Sequence, residues 1–432
     1  MAAKVIFANR YFHPDLSATS QMLSDLAPRV ASAGIEVHVV CSRQLYEDPA
    51  ARLAPYELVN GVIVHRVWTA RFGRGRLLGR ALDYLSFYVS AGTRLFRLAR
   101  RGDVLVSKTD PPLLSIVAAI VAAARGAILV NWLQDLFPEV AARLYVRALP
   151  RWLERLLQVL RDRSLNSARV NVVLGAHMRD YLVSRGVAQA RLRIIENWSD
   201  GAALRPKVAS ETQLRHELAL QDRFVVGYSG NLGRAHEFET IVEAACALRE
   251  VSGFVFLMIG GGAQMSALQA RVAERGLTNF RFTPYQPRAS LGDSLAAADV
   301  HLVSLRPELE GLIVPSKLYG ILAAGRPAIF IGDPQGEVAR ILANGRCGIS
   351  VACGDGVGLA RELRTLRSDS ALAEAMGHRS RELFERSHTL DRAALEWLDI
   401  LVTQCGLSAA RWPPIRAAIS AEPATSGAAG TR

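Results

Sequence analysis

Phe224-Val225-Val226-Gly227-Tyr228-Ser229-Gly230-Asn231-Leu232-Gly233-Arg234 is the stretch on which the reading of the chain turns. Phe224 to Tyr228 reads as a buried strand, and Thr240 to Arg249 as a helix. Between them, glycines let the backbone approach a ligand closely, and free N–H groups at the helix start favour a phosphate. Arg234 adds a planar, permanently charged fork suited to two phosphate oxygens. A tight turn with a surface arginine would use the same letters.

Working outward, strands are expected at Phe254 to Ile259, Phe280 to Thr283, Val300 to Val303 and Ala328 to Ile331. Gly260-Gly261-Gly262 follows the first of these. Phe282-Thr283-Pro284-Tyr285-Gln286 leads the second into a loop that offers backbone groups and an aromatic face to a nucleobase, or simply turns. Further on, Glu308 to Pro327 is a glycine-containing loop and a short helix, with Ser316 as its expected N-cap and Gly325 as its end. Lys317 stands at the unfavourable end of that helix dipole, which suits an anion placed there.

Toward the N-terminus the same alternation recurs. Lys4 to Ala8 is a strand, Thr19 to Ala33 a helix closed by Gly34, and Val37 to Val40 the next strand. Further strands are expected at Val62 to Val67, Val104 to Ser107, Ala127 to Trp132 and Val170 to Leu174. Short continuous apolar strands alternating with helices mean a parallel sheet covered on both faces. The periodicity lapses between Asn197 and Val208. The expected organisation is therefore an α/β domain over 1–203, a second over 204–388, a helix over 389–407 returning to the first, and a disordered Ala/Pro/Ser-rich tail over 408–432. Two doubly wound Rossmann-like halves face a cleft at the carboxyl ends of their strands. On that side of the first half, Asn131-Trp132-Leu133-Gln134-Asp135-Leu136-Phe137-Pro138-Glu139 places two carboxylates past a buried strand. Asp135 is placed to orient a hydroxyl or stabilise positive charge, and Glu139 to satisfy N–H groups at a helix start.

Composition narrows the classes. The chain has 432 residues, ample for two cores, and a net charge of +12 that calls for anionic partners. Its five cysteines are scattered, which fits a reducing compartment and argues against zinc or a disulfide framework. The apolar segment Leu113 to Ala124 is too short to span a bilayer, and MAAKVIFANRYF is unlike a signal peptide. No Asp-x-Asp or histidine cluster points to a metal. His236, just after Arg234, is either structural or functional.

With these motifs assembled, the chain resembles the family 4 retaining glycosyltransferases of the GT-B fold over roughly residues 4 to 405. It is most similar to the subgroup that builds bacterial exopolysaccharide and O-antigen repeats, including the L-fucosamine transferases. Three motifs carry the resemblance: 134–139, 229–237 and 314–327. It implies a nucleoside-diphosphate sugar, UDP by default, in the C-terminal half and an acceptor in the N-terminal half. Transfer would retain the anomeric configuration and need neither metal nor cofactor. Gly230, Asn231, Gly233, Tyr285, Gln286, Glu310 and Ser316 would then bind the donor. Asp135, Arg234 and Lys317 would act at the reacting centre, and Pro14, Ser17, Ala18 and Thr19 would lie on the acceptor side. Glu310 approximates the first glutamate of the family's E-x7-E motif; counted back from Ala323, that position falls on Leu312, and the second falls on Gly320. Many relatives carry a lysine shortly after the arginine, where this chain has Ala235-His236-Glu237-Phe238, so Lys317 is expected to supply the second positive charge.

Phe72 to Arg101 interleaves arginines with leucines and aromatics, which fits an anionic membrane face or a domain helix with a solvated charged side. Acceptors in the subgroup are sugars on polyprenyl diphosphate. The resemblance therefore implies a cytoplasmic enzyme peripheral on the inner membrane face, with no nucleic-acid partner. A sugar-nucleotide epimerase, or a non-catalytic membrane or nucleic-acid binder, are the alternatives.

Overall fold

The structure is a computed structural model that describes residues 2–48, 50–72, 77–144 and 150–410. Eight strands form the first sheet: β1 Val5–Ala8, β2 Val37–Ser42, β3 Tyr56–Val59, β4 Val62–Val67, β5 Val104–Lys108, β6 Ile128–Trp132, β7 Val170–Val173 and β8 Leu192–Ile194. Their order is β3-β4-β2-β1-β5-β6-β7-β8, parallel except for the β3–β4 hairpin. Six parallel strands form the second: β9 Phe224–Asn231, β10 Phe254–Gly261, β11 Phe280–Thr283, β12 Val300–Ser304, β13 Ala328–Ile331 and β14 Gly348–Val351, ordered β11-β10-β9-β12-β13-β14. Each inner strand is an unbroken apolar run because helices cover both of its faces; all four residues of β1 and of β13 are buried.

Both sheets reverse their winding beside their first strand. β1 sits between β2 and β5, and β9 between β10 and β12. Loops diverge at such switch points, leaving a crevice beyond the strand ends. The loops after β1, β5, β9 and β12 therefore define where a ligand goes.

Two helices matter most below: α1 (Ala18–Ser32) and α2 (Leu77–Leu98). The segment Leu113 to Ala124 lies mostly within the helix Leu114–Arg125, packed on the first sheet. The C-terminal helix Leu390–Asp399 returns to the first sheet, where Trp397 lies 4.8 Å from Trp132 and 6.5 Å from Phe7 between ring centroids. Its buried face uses Ala393, Ala394, Trp397 and Leu398, with Leu395 only half-buried. The tail expected over 408–432 falls almost wholly outside the described residues. The two halves touch through one apolar cluster that includes Leu136, Val173 and Leu174 from one and Leu309, Leu312 and Val314 from the other.

Candidate active site between the two sheets

The turn after β9 is held from three sides. Gln264 donates through Nε2 to the carbonyls of Gly233 (2.8 Å) and His236 (2.6 Å). The Arg306 N–H donates to Ala235 O at 2.9 Å. His236 places Nδ1 on the Ser304 carbonyl, at the end of β12, and meets the Tyr228 ring edge-on. Burial first, and then the Lys317 charge, push His236 down to about 3, so the imidazole is neutral and its place is structural. Gly230 and Gly260 have φ of 112° and 120°. A Cβ on Gly260 would stand 2.5 Å from the Gly230 carbonyl, so only glycine lets these two loops meet.

Tyr285 closes the far side of that meeting point, its ring lying against Gly260 and Gly261. Gln286 turns back on its own loop, donating to Thr283 Oγ1 (3.2 Å) and Pro284 O (3.1 Å). Asn231 and Arg234 are exposed. Among the described residues Arg234 has no hydrogen-bond or ion-pair partner, so its fork is free for a ligand.

Lys317 opens the helix Lys317–Ala323 and reaches the same turn. Its ammonium lies 3.7 Å from the Tyr228 ring centroid and donates to Asn231 O at 3.4 Å. No carboxylate neutralises it, and burial pushes its pKa well below the ordinary lysine range. Ser316 differs from expectation: it is itself helical (φ −66°, ψ −21°), and its hydroxyl makes no capping bond. A capping residue needs extended backbone to aim its oxygen at the N–H groups two and three residues on, and Ser316 lacks it.

Glu310 accepts from Glu337 N (2.8 Å), at the start of the helix Glu337–Gly345. A donor sugar at Glu310 would share its carboxylate with that helix end. Leu312, the other position counted for the motif, is buried in the apolar cluster between the halves.

Across the crevice, Leu136 N donates to Leu312 O (3.0 Å), and Asp135 bridges Ile313 as an isolated antiparallel pair. These bonds carry Asp135 to the loop that follows β12. Burial raises its pKa, against a lowering hydrogen bond from Thr109 and the charge of Lys108. Glu139, by contrast, is wholly committed. It accepts from Arg161 at 2.7 and 3.1 Å and from Tyr181 Oη at 2.9 Å. Side chains, rather than the helix-start N–H groups, satisfy it.

The acceptor-side loop is shaped by Asp15, which accepts from Ser17 N (2.8 Å), from the Ser17 hydroxyl and from Tyr46 N. Pro14 and Ala18 are exposed, and Ser17 and Thr19 half-buried, at the start of α1. Arg288, in the helical turn after Tyr285 and Gln286, pairs with Asp25 of α1 at 3.1 Å, a second tie across the crevice.

Lys108 belongs to none of the motifs legible in the sequence. It ends β5 beside Trp132, buried, with its ammonium 3.1 Å from the indole centroid and no hydrogen-bond partner among the described residues. A lysine closing an apolar strand (Val104-Leu105-Val106-Ser107-Lys108) on the cleft side was the available signal. Among the described residues, no group of three or more His, Cys, Asp or Glu is arranged to hold a metal ion.

Two Rossmann-like sheets with their switch points facing one crevice, glycine turns on one side and a half-buried carboxylate on the other, define a GT-B glycosyltransferase. The comparisons agree. Residues 18–198 match the glycosyl transferase 4-like domain, and residues 223–369 match the glycosyl transferases group 1. The probable glycosyltransferase WbjE of Pseudomonas aeruginosa is 30% identical over 292 residues, 67% of this chain and 72% of that one. The putative colanic acid biosynthesis glycosyl transferase WcaI of Escherichia coli K12 is 31% identical over 166 residues, 38% of this chain and 40% of that one. Among solved structures, sucrose-phosphate synthase of Thermosynechococcus elongatus superposes with a TM-score of 0.72 at 17% identity, covering 93% of this chain and 98% of that one. Anabaena Alr3699/HepE in complex with UDP gives 0.69 at 12%, covering 93% and 100%. The chain belongs to the family 4 glycosyltransferases.

Proposed function

We propose that the chain transfers a sugar from a UDP-linked donor to a lipid-linked saccharide, with retained anomeric configuration, in bacterial surface polysaccharide synthesis. One observation carries the reading: a desolvated Lys317 ammonium without a counter-ion, at the glycine turn that also bears the unpartnered Arg234. A partly desolvated cation without an anion is costly, and a diphosphate entering the turn would lower that cost. Arg234, Lys317 and the N–H groups of the turn would then hold the leaving diphosphate without a metal ion. Tyr285 would lie under the base, and Asp135 would face the reacting sugar carbon from the opposite wall. HepE is a structural neighbour in complex with UDP, and WcaI is named for colanic acid biosynthesis; both support the donor and the product class.

The outward face of α2 supports a membrane-bound acceptor. Leu78, Leu82, Leu85, Val89 and Phe96 are all exposed and fall within a narrow arc at helical spacing. Of the two readings of this segment, an apolar outward face suits the headgroup boundary of a bilayer. No helix among the described residues is long and apolar enough to cross a membrane.

A panel of nucleotide sugars read by thermal shift tests the donor, because a ligand that binds only the folded state raises the unfolding midpoint. UDP-sugars should shift it more than GDP-sugars. Free UDP should appear only when acceptor is present, whereas an epimerase would interconvert the donor alone. Turnover abolished by EDTA would count against the metal-free diphosphate grip.

A further inference from the structure

Resting on the lipid-linked acceptor just proposed, we infer that a pocket at the ends of β2 and β4 binds the diphosphate of an isoprenoid lipid, with the lipid chain leaving along α2. The pocket has a volume of about 610 Å³ and is lined by Arg43, Arg52, Arg71, Trp68 and Phe72. Three arginines line it, and none of the described lining residues is acidic. That is more positive charge than a singly charged headgroup calls for, and it matches a diphosphate.

The pocket is built rather than incidental. Its floor is Gln44, buried, which donates through Nε2 to the carbonyls of Thr69 (2.8 Å) and Ala70 (3.1 Å). Thr69 Oγ1 donates to Ser42 Oγ at 2.9 Å. Arg43 Nε donates to Leu53 O at 2.9 Å, which fixes its position and leaves its terminal nitrogens. Two bonds clamp the wall to α2: Ala70 N to Ser86 Oγ and Phe72 N to Asp83 Oδ1, both 2.9 Å. Trp68 and Phe72 are about two-thirds exposed, at 65% and 67%, on a wall bonded to the helix whose exposed apolar stripe begins at Leu78. Arginines and exposed aromatics in one pocket, on a wall tied to a helix with an exposed apolar stripe, match an acidic group joined to a long hydrocarbon chain.

Position also bears on the acceptor's size. The strand order β4-β2-β1-β5-β6 puts Asp135, beyond β6, three to four strand spacings from the pocket, roughly 14–19 Å. The acceptor-side loop with Asp15 and Ser17 lies between them, beyond β1. A lipid diphosphate held by Arg52 and Arg71 reaches Asp135 only if it already carries a saccharide of more than one unit. The enzyme is therefore assigned an extending step, downstream of the transferase that loads the first sugar onto the lipid.

The test uses the full chain and phosphatidylcholine vesicles doped with a long-chain isoprenyl diphosphate. Vesicles of equal charge made with phosphatidylglycerol, and free inorganic pyrophosphate, run in parallel. Binding to the doped vesicles should be at least tenfold tighter than to phosphatidylglycerol vesicles. The Arg52→Ala/Arg71→Ala double variant should lose that preference while keeping its unfolding midpoint, since both side chains are exposed. Equal affinity for the two anionic vesicles, preference surviving the double substitution, or free pyrophosphate competing as well as the lipid would overturn the proposal. A UDP-sugar thermal shift on the same preparation separates the readings: its absence sinks the donor assignment and leaves the lipid pocket standing.

Discussion

Lys108, buried, and Lys317, half-buried, place their ammonium groups on opposite walls of the crevice, each lying on an aromatic ring and neither paired with a carboxylate. Such a charge lowers stability unless function retains it. Replacing Lys108 by methionine keeps the volume and removes the charge. The unfolding midpoint of Lys108→Met should stay level or rise, while kcat falls at least tenfold because Asp135 loses its cationic neighbour. A falling midpoint with unchanged kcat would make Lys108 merely structural. For the diphosphate grip, Arg234→Ala should lower kcat by about 10²–10³ with no loss of stability, as expected for a group that stabilises developing charge. Lys317→Ala should lower kcat and raise the donor KM. The proposal that Lys317 replaces the missing second cation fails if Arg234→Ala abolishes turnover while Lys317→Ala changes neither.

At the scale of elements, the test of α2 is its outward stripe. Serine at Leu78, Leu85 and Val89, which are 80%, 57% and 63% exposed, removes apolar surface that folding does not bury. The triple variant should keep its midpoint within a few degrees and lose most vesicle binding; unchanged sedimentation with vesicles would return α2 to an ordinary surface helix. The sequence revealed the inner strands because burial on both faces leaves continuous apolar runs, as in β1, β2, β9 and β10. It hid β3, β8 and β14. β3 (Tyr56-Glu57-Leu58-Val59) is an exposed edge with polar content, although the Asn60-Gly61 that follows is a strong hairpin signal. In the candidate site, the placement of Gly230, Tyr285, Asp135 and Lys317 beyond strand ends could be read because glycine turns and charges after strands have few uses. Ser316 and the occupied Glu310 could not, since their roles depend on the backbone angle of one residue and the approach of a helix 27 residues on. Lys108 was hidden by lying at the end of a strand whose other residues explain themselves.

Across the whole molecule, acid and alkaline stability follow from groups in all three regions. Burial, the largest influence in each case, holds His65 in the first sheet, His301 in the second and His388 at the join down to about 4, and His236 to about 3. A histidine whose folded pKa is depressed contributes stability that is present above its unfolded value and lost as pH falls through the folded one. The acid limb, from about 6.5 down to 4, should therefore be steep. Glu196 acts in the opposite sense. Burial and then the charge of Glu337 raise its carboxyl to about 7, where it stands 3.2 Å from His388 between the two halves. The fold holds that proton longer than the unfolded chain does, so its contribution is whole below the unfolded value near 4.5 and is lost as pH rises through 7. The two effects oppose each other from about pH 4.5 to 8, because the unfolded histidines still release protons above 6.5. Four histidines outweigh one glutamate, so the thermal midpoint should rise from pH 4 to near 7 and level off toward 8, with the glutamate flattening the rise. Glu196→Gln keeps the shape and abolishes the titration, so the midpoint of the variant should climb more steeply between pH 5 and 8 than that of the native chain, by a difference worth on the order of 2 kcal/mol. A climb equally steep in both would show that the join between the halves does not modulate it.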